Sequence, residues 1–345
     1  MKKGLLLHTR PQTVPASALR FRLTWGLGGA AVLMVVVQLT TGLLLNFFYR
    51  PTPAGAPVSI THLNNEVFCG RLFHNLHHWT GHALVVIVVL HLLRVFGRAA
   101  YRQERYRNWL IGLGLLFLVL LANFSGYLLP WDQRSYWAVT ITTAMLGYLP
   151  GLGPFLLEAA RGGSEVGPAT LHLFHTLHST VLPAGLAVLM LWHFWQIRRA
   201  GGLLLKSSGR PGEKPEKLAA DPHLFIREKA AAAIILCLLV YAAIFFDAPI
   251  GSPANPALTP ASVRAPWYFI GFQELLIHTN PTTAILALPL LVVMFLVLFP
   301  LADPENPVVQ RGITGLFYTL LGGFLILTGT GLFLRGPGME LVWPF

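Results

Sequence analysis

The stretch HNLHHWTGHALVVIVVLHLLR, residues 74–94, combines five histidines with an apolar run long enough to cross a bilayer. His77 and His91 are 14 residues apart. In an α-helix this is nearly four turns, which places both on one face about 21 Å apart along the axis. An ionisable side chain at membrane depth points to function by default. The stretch therefore predicts a transmembrane helix that presents two imidazoles on one face.

The composition of the whole chain favours a membrane protein. Of 345 residues, 54% are hydrophobic and 11% are charged, and the mean hydropathy is +0.60. Soluble domains carry about 25% charged residues, so a soluble enzyme is excluded. A bilayer span needs about 20 apolar residues. We predict an all-α integral membrane protein with a four-helix bundle followed by three further spans, at 25–48, 76–96, 109–129, 173–195, 230–246, 284–301 and 313–334.

Charge distribution predicts the orientation of these spans. With the N-terminus inside, 19 of the 25 Lys and Arg residues fall on the inner side. Positive residues stay on the cytoplasmic side, so we expect a cytoplasmic N-terminus in a prokaryotic inner membrane. The net charge is +11. We expect these basic residues to face the membrane surface, and we expect no nucleic-acid partner. We predict loops in the two proline-rich segments, residues 50–60 and 248–266. We predict a polar connection over residues 206–221.

The fourth span repeats the histidine pattern, because the interval from His178 to His193 is only one position longer than that from His77 to His91. Two helices with such pairs can hold two flat metal macrocycles, each iron taking one nitrogen from each helix. The spacing predicts an outer haem on His77 and His178 and an inner haem on His91 and His193. A histidine bonded to a carbonyl is the alternative for any single position. Other histidines of these two spans leave the choice of ligands open: His74, His78, His82, His172 and His175.

Glycine spacing gives a second, independent pattern. Gly28 and Gly42 in the first span are 14 residues apart, and so are Gly112 and Gly126 in the third. Small residues also serve close helix packing, which is the alternative explanation. Because the interval matches that of the histidines, we expect these glycines to leave room for a bound ring. Arg94, one turn after His91, is positioned to pair with a haem propionate.

A longer motif carries a family resemblance. Residues 125–133, SGYLLPWDQ, and the stretch 167–183 around His178 resemble the cytochrome b subunit of bc-type quinol-oxidising complexes. The similarity covers nearly the whole chain and is strongest to the split, chloroplast-type form, with both parts in one chain. It implies a dihaem domain over 1–205, a cytoplasmic linker over 206–228 and a three-helix domain over 229–345 that resembles the quinol-site subunit.

The resemblance also implies an activity. Quinol is oxidised near the outer surface; one electron passes to a Rieske-type iron–sulphur protein and a c-type cytochrome, and the other crosses two non-covalent b haems to an inner quinone site. The implied assembly is a homodimer within a larger complex. The alternative is a haem-carrying membrane anchor, an electron conduit for another respiratory or photosynthetic complex with an altered or absent outer quinol site.

Several positions depart from the family pattern at the outer site. The family's Pro-Glu-Trp-Tyr corresponds here to residues 265–268, APWY, so Pro266 stands where the proton-accepting acid would be. Glu274 and His278 are the nearest titratable replacements. With Tyr268 and Tyr127, Glu274 is expected to form the catalytic group of the outer site. A solvated loop acid is the alternative for Glu274.

Other departures concern the inner side and the haem contacts. Gly26 occupies the position where the split form attaches a third haem through cysteine, so a thioether-linked haem is excluded there and a non-covalent one is not. His74 stands where an arginine is expected. Glu228 is the candidate proton donor of the inner quinone site, with a surface acid as the alternative.

Overall fold

The computed structural model describes residues 13–16, 19, 25–200, 216–260, 263–302, 306–335 and 340–341. Within this part of the chain there are eleven helices, and seven of them are long and apolar enough to cross a membrane. The predicted all-α class and the seven spans are therefore confirmed. The spanning helices are α1 (Leu27–Asn46), α3 (Gly70–Gly97), α4 (Tyr106–Leu128), α7 (Pro168–Arg199), α8 (Ala220–Phe245), α10 (Thr283–Leu301) and α11 (Pro307–Phe333).

Four shorter helices connect the spans. They are α2 (Gly55–Glu66), α5 (Gln133–Leu146), α6 (Gly153–Arg161) and α9 (Ile270–His278). Two small antiparallel sheets complete the described part of the chain. The first pairs β1 (Thr13–Pro15) with β2 (Lys217–Ala219), and the second pairs β3 (Leu334–Arg335) with β4 (Glu340–Leu341).

The chain forms two compact units, which interleave in sequence. One takes the described residues of Met1–Phe47, Leu63–Leu120 and Pro183–Ala248, and the other those of Phe48–His62, Leu121–Leu182 and Pro249–Phe345. The division into domains at 1–205, 206–228 and 229–345 stays a prediction.

In the first unit, α3 packs against both α1 and α8. Side chains at the start of α3 satisfy the end of α8. Asn75 donates to the Ala243 carbonyl and to Asp247 and accepts from the Ala248 amide, and Arg71 forms an ion pair with Asp247. These bonds hold the pKa of Asp247 at about 2, chiefly through Arg71. They complete backbone groups that a helix end otherwise leaves unsatisfied.

The second unit is centred on a buried apolar cluster that includes Phe124, Leu128, Trp131 and Phe174. Asp132 follows this cluster and caps α5, accepting from the Ser135 amide in a capping box. Its other carboxylate oxygen accepts from the Gly251 amide at 2.8 Å. The predicted loop 248–266 is thereby tied to the start of α5.

Two sequence expectations change. The proline-rich segment 50–60 is not all loop, because α2 begins at Gly55, where the Thr52 side chain accepts from the Gly55 amide. The fifth span begins at Ala220 rather than at 230, since its first turns are helical but polar and so escape a search for apolar runs. Residues 206–215 of the predicted linker lie outside the described residues.

Candidate functional site

The glycines of α1 face the predicted ligands of α3. A Cβ added at Gly42 would lie 3.1 Å from Cε1 of His77, and one added at Gly28 would lie 3.5 Å from Cε1 of His91. Because the two helices run in opposite directions, the first glycine meets the second histidine and the second glycine meets the first. The matching intervals of glycine and histidine therefore correspond to two helix–helix contacts.

A hydroxyl group orients the His77 ring. Thr41 Oγ1 lies 2.9 Å from His77 Nδ1 and donates to the Val37 carbonyl at 2.7 Å. Since the hydroxyl hydrogen is used on that carbonyl, Thr41 accepts from Nδ1–H. The ring then carries its lone pair on Nε2, the arrangement typical of a metal-bound histidine whose other nitrogen donates to a fixed acceptor.

The same arrangement occurs where α4 meets α7. A Cβ added at Gly126 would lie only 2.7 Å from Cε1 of His178. His178 Nδ1 lies 3.0 Å from the Ala122 carbonyl and 3.1 Å from Ser125 Oγ, which itself donates to Ala122. This ring too has Nδ1 as donor, so its lone pair lies on Nε2.

The two inner histidines face each other within the first unit. Gly112 packs against His193, with 3.6 Å from its added Cβ to Cε1. The ring centroids of His91 and His193 are 6.5 Å apart, with 75° between their planes. Two imidazoles that share one metal ion through nitrogens at about 2 Å would have centroids about 6 Å apart. Nδ1 of His91 is buried and has no hydrogen-bond partner among the described residues.

A π turn explains the unequal histidine intervals. Within α7, Leu177–Val181 is π-helical and contains His178. A π turn accommodates one extra residue and occurs often at functional sites. The interval from His178 to His193 exceeds that from His77 to His91 by this one residue. The π turn therefore keeps the angular relation that the shorter interval has in a regular helix.

Paired imidazoles are the residues that would hold a flat iron macrocycle, and the separation of His91 from His193 is compatible with such a group. Among the described residues no group of three or more His, Cys, Asp or Glu side chains could bind a bare metal ion. Gly28, Gly42, Gly112 and Gly126 let the backbones of α1 and α4 approach the four histidine rings. The expectation that these glycines leave room for a bound ring stays a prediction. The histidine rings can supply axial nitrogens to iron but no further ligands.

Arg94 and the remaining histidines have protein neighbours. Arg94 lies one turn after His91, as expected, with its guanidinium 4.1 Å from the centroid of Trp25. His74 Nδ1 lies 3.1 Å from Asn64 Oδ1. The other ring contacts of this group are His78 with His82, with centroids 4.6 Å apart, and His175 with Tyr49, at 5.2 Å.

Two of the predicted outer-site residues come together in the second unit. Tyr268 is 8% exposed, and burial, together with the nearby Tyr127, raises the pKa of its phenol. Phe269 and Tyr127 both pack on the buried apolar cluster. Pro266, two residues before Tyr268, is buried. Because it is a proline, it supplies no acid at that position.

Glu274 lies on α9, six residues after Tyr268, which precedes that helix in the 3-10 turn Trp267–Phe269. Its Oε1 is 2.9 Å from His278 Nε2, and its Oε2 is 3.3 Å from the position of a Cβ added at Gly331 in α11. The Glu274 side chain is 12% exposed and that of His278 is 50% exposed. Glu274 is thus a half-buried helical acid paired with an exposed histidine, rather than part of a loop.

The inner candidate Glu228 lies in the exposed early part of α8. One turn of this segment is closed by Arg227, which donates to the His223 carbonyl at 2.7 Å.

Sequence analysis missed Thr41 and Ser125 as orienting groups. A signal was present, because each hydroxyl residue immediately precedes the glycine that faces the histidine, in Thr41-Gly42 and Ser125-Gly126. Both are buried, at 3% and 0% exposure. It also missed Gln273, whose partners depend on the tertiary fold.

The fold defines a multi-pass, all-α membrane protein in which four histidine rings lie against glycines of neighbouring helices. Residues 13–201 match the cytochrome b/b6/petB family model, and residues 253–336 match the cytochrome b(C-terminal)/b6/petD model. The first match alone covers more than half of the chain. The chain therefore belongs to the cytochrome b family of electron-transfer subunits, with the b6-like and petD-like parts in one chain.

Individual relatives agree with this assignment. The chain is 39% identical over 175 residues to cytochrome b6 of Synechococcus elongatus and to cytochrome b6 of Chlamydomonas reinhardtii, covering 51% of this chain and 81% of each relative. A solved chain of a hyperthermophilic respiratory Complex III superposes with a TM-score of 0.78 at 25% identity, covering 91% of this chain and 85% of that one.

Proposed function

We propose that the chain is the dihaem cytochrome b subunit of a membrane quinol:cytochrome c-type oxidoreductase. The observation that carries the proposal is the fourfold match of glycine to histidine: Gly28 with His91, Gly42 with His77, Gly112 with His193 and Gly126 with His178. Chance packing would not select the same four histidines that the repeated sequence intervals select. The ring separation of 6.5 Å between His91 and His193 adds support for shared iron ligation.

In this proposal His91 and His193 hold the inner b haem, and His77 and His178 hold the outer one. Bis-histidine haem supplies one-electron transfer. The protein's own contribution is to keep the rings neutral and oriented: Thr41 accepts from His77, and Ala122 from His178, so that each Nε2 keeps its lone pair.

The outer quinol site is proposed at Tyr127 and Tyr268, where two phenols lie in apolar surroundings. A raised pKa keeps Tyr268 protonated and able to donate a hydrogen bond to a quinol oxygen. Glu274 is proposed as the acid that replaces the one missing at Pro266, passing protons to the exposed His278. Glu228 keeps its proposed role as proton donor at an inner quinone site.

The same family membership supports a proposal for assembly and location. We propose a bc-type complex with a Rieske-type iron–sulphur protein and a c-type cytochrome, in which this chain forms a homodimer. We further propose a prokaryotic inner membrane with a cytoplasmic N-terminus, supported by the 19 inner Lys and Arg residues.

The decisive experiment counts haems in histidine variants of the purified complex. His193→Ala and, separately, His91→Ala should each lose the inner haem and keep the outer one, giving about one haem per chain by pyridine haemochrome. His172→Ala, on the same helix as His193 but exposed, is the matched control and should keep two. Two haems in both test variants, or loss of the outer haem instead, would refute the pairing.

A second function is favoured by one observation, that Pro266 stands where the family's outer site carries its proton-accepting acid. A chain without a working outer quinol site would serve as an electron conduit for another catalytic subunit. Tyr268→Ala and Glu274→Gln distinguish the two functions. If quinol oxidation by the complex is unchanged in both variants, the conduit function is correct.

A further inference from the structure

The backbone that leads into Tyr268 is held by one side chain from the helix that follows it. The Ala265 amide donates to Gln273 Oε1 at 2.8 Å, and Gln273 Nε2 donates to the Val263 carbonyl at 2.7 Å. Gln273 is half-buried on α9, five residues after Tyr268. Both ends of its amide are thus used on the short segment 263–265.

The local sequence makes this bridge necessary. Pro266 has no backbone N–H and therefore cannot tie the segment to anything through its own amide. After it the chain turns at once into a short 3-10 turn at Trp267–Phe269, where the Phe269 amide donates to the Pro266 carbonyl at 2.7 Å. The direction in which Tyr268 enters the core then depends on the backbone before Pro266, which Gln273 bridges with both ends of its amide.

We propose that Gln273 is a positioning residue of the outer quinol site. It sets the path of Val263–Ala265 and through it the placement of Tyr268, without itself touching the substrate. The inference rests on the proposed function, because it assumes that quinol binds beside Tyr268. The inference goes beyond the proposed function because it makes Gln273, a residue outside the aromatic site, a determinant of substrate affinity.

The chemistry of an amide explains why glutamine is required. Gln273 must accept from one backbone group and donate to another, and leucine can do neither. An ionised glutamate can accept from the Ala265 amide but would place a negative oxygen against the Val263 carbonyl. A protonated glutamic acid can both accept and donate, so it restores the pattern.

A matched control exists at the far end of the same loop. Gln133 also bridges backbone groups with both ends of its amide, accepting from the Asn255 amide at 2.6 Å and donating to the Asn255 carbonyl at 3.3 Å. Asn255 lies 13 residues before Tyr268 in the sequence. This bridge therefore holds the loop but not the segment that enters the core.

The test measures steady-state quinol oxidation by the purified complex, with a short-chain benzoquinol and a short-chain naphthoquinol as substrates. For Gln273→Leu we expect KM to rise on the order of tenfold, since two net-favourable hydrogen bonds are lost. The kcat should change much less, because the reacting groups are unchanged. Gln273→Glu should show the same defect at neutral pH and recover as the pH of the assay is lowered. Gln133→Leu should keep the wild-type KM.

Each outcome bears on one proposal. An unchanged KM in Gln273→Leu, or an equal rise in Gln133→Leu, would overturn the positioning role while leaving the quinol site in place. A Gln273→Glu defect that does not depend on pH would also overturn it. If quinol oxidation is unchanged in Tyr268→Ala, the proposed quinol site itself is refuted. Dithionite-reduced haem content, measured in every variant, shows that the complex has assembled.

Discussion

The tightest glycine–histidine contact allows a graded prediction. In Gly126→Ala the new methyl group would lie 2.7 Å from His178 Cε1, well inside ordinary contact. In Gly112→Ala it would lie 3.6 Å from His193 Cε1, which is ordinary contact. The first change must displace a ring that is also held by Ala122 and Ser125, whereas the second requires no movement.

The expected magnitude follows from the cost of overpacking. An extra methyl group in a closely packed site costs about 1–3 kcal/mol. At 1.4 kcal/mol per factor of ten, this corresponds to a loss of haem affinity of about 5- to 140-fold for Gly126→Ala. Gly112→Ala should be near neutral, and Gly42→Ala, with 3.1 Å to His77 Cε1, should fall between the two.

The assay is haem stoichiometry with reduced-minus-oxidised spectra of the purified protein. Gly126→Ala should lose or shift the signal of the haem assigned to His178. Gly29→Ala is the control, because a Cβ at Gly29 meets nothing within 4 Å. If Gly126→Ala keeps both haems with unshifted spectra, or if Gly112→Ala is the more damaging change, the glycines do not serve the histidines and the reasoning fails.

Two further predictions concern single hydrogen bonds. Thr41→Val removes the acceptor of His77 Nδ1–H, so retention of that haem should weaken about tenfold. Its midpoint potential should rise, because the imidazole becomes a poorer donor. Thr40→Val is the control, since the Thr40 hydroxyl donates to the Val36 carbonyl of its own helix. For Asp247, a folded pKa near 2 lies below the ordinary value of about 3.9. Its pairing with Arg71 should therefore stabilise the protein fully above about pH 4 and be lost as the pH falls towards 2, and Asp247→Asn should flatten that part of a thermal-stability profile.

The spans and the histidine pairs could be predicted because both are local properties. Insertion of about 20 apolar residues into a bilayer depends on the segment itself. An interval of nearly four helical turns likewise fixes a common face without reference to any neighbour. For these reasons the position of His77 relative to His91 and the number of spans needed no tertiary information.

Segments whose structure depends on capping were harder to predict. Helix α2 begins in a proline-rich region because the Thr52 side chain accepts from the Gly55 amide. The start of α8 at Ala220 escaped notice because its first turns are polar, and hydropathy detects the apolar part of a helix rather than its ends.

By itself, the amino-acid sequence determined the class of protein, the number of spans and the repeated intervals of histidine and glycine. Only the tertiary structure decided which glycine faces which histidine, that Thr41 and Ser125 contact the rings of His77 and His178, and that Glu274 pairs with His278. The physical reason is that a residue's periodicity belongs to its own helix. Its partner depends on the rotation and axial offset of another helix, which are set by packing between residues distant in the chain.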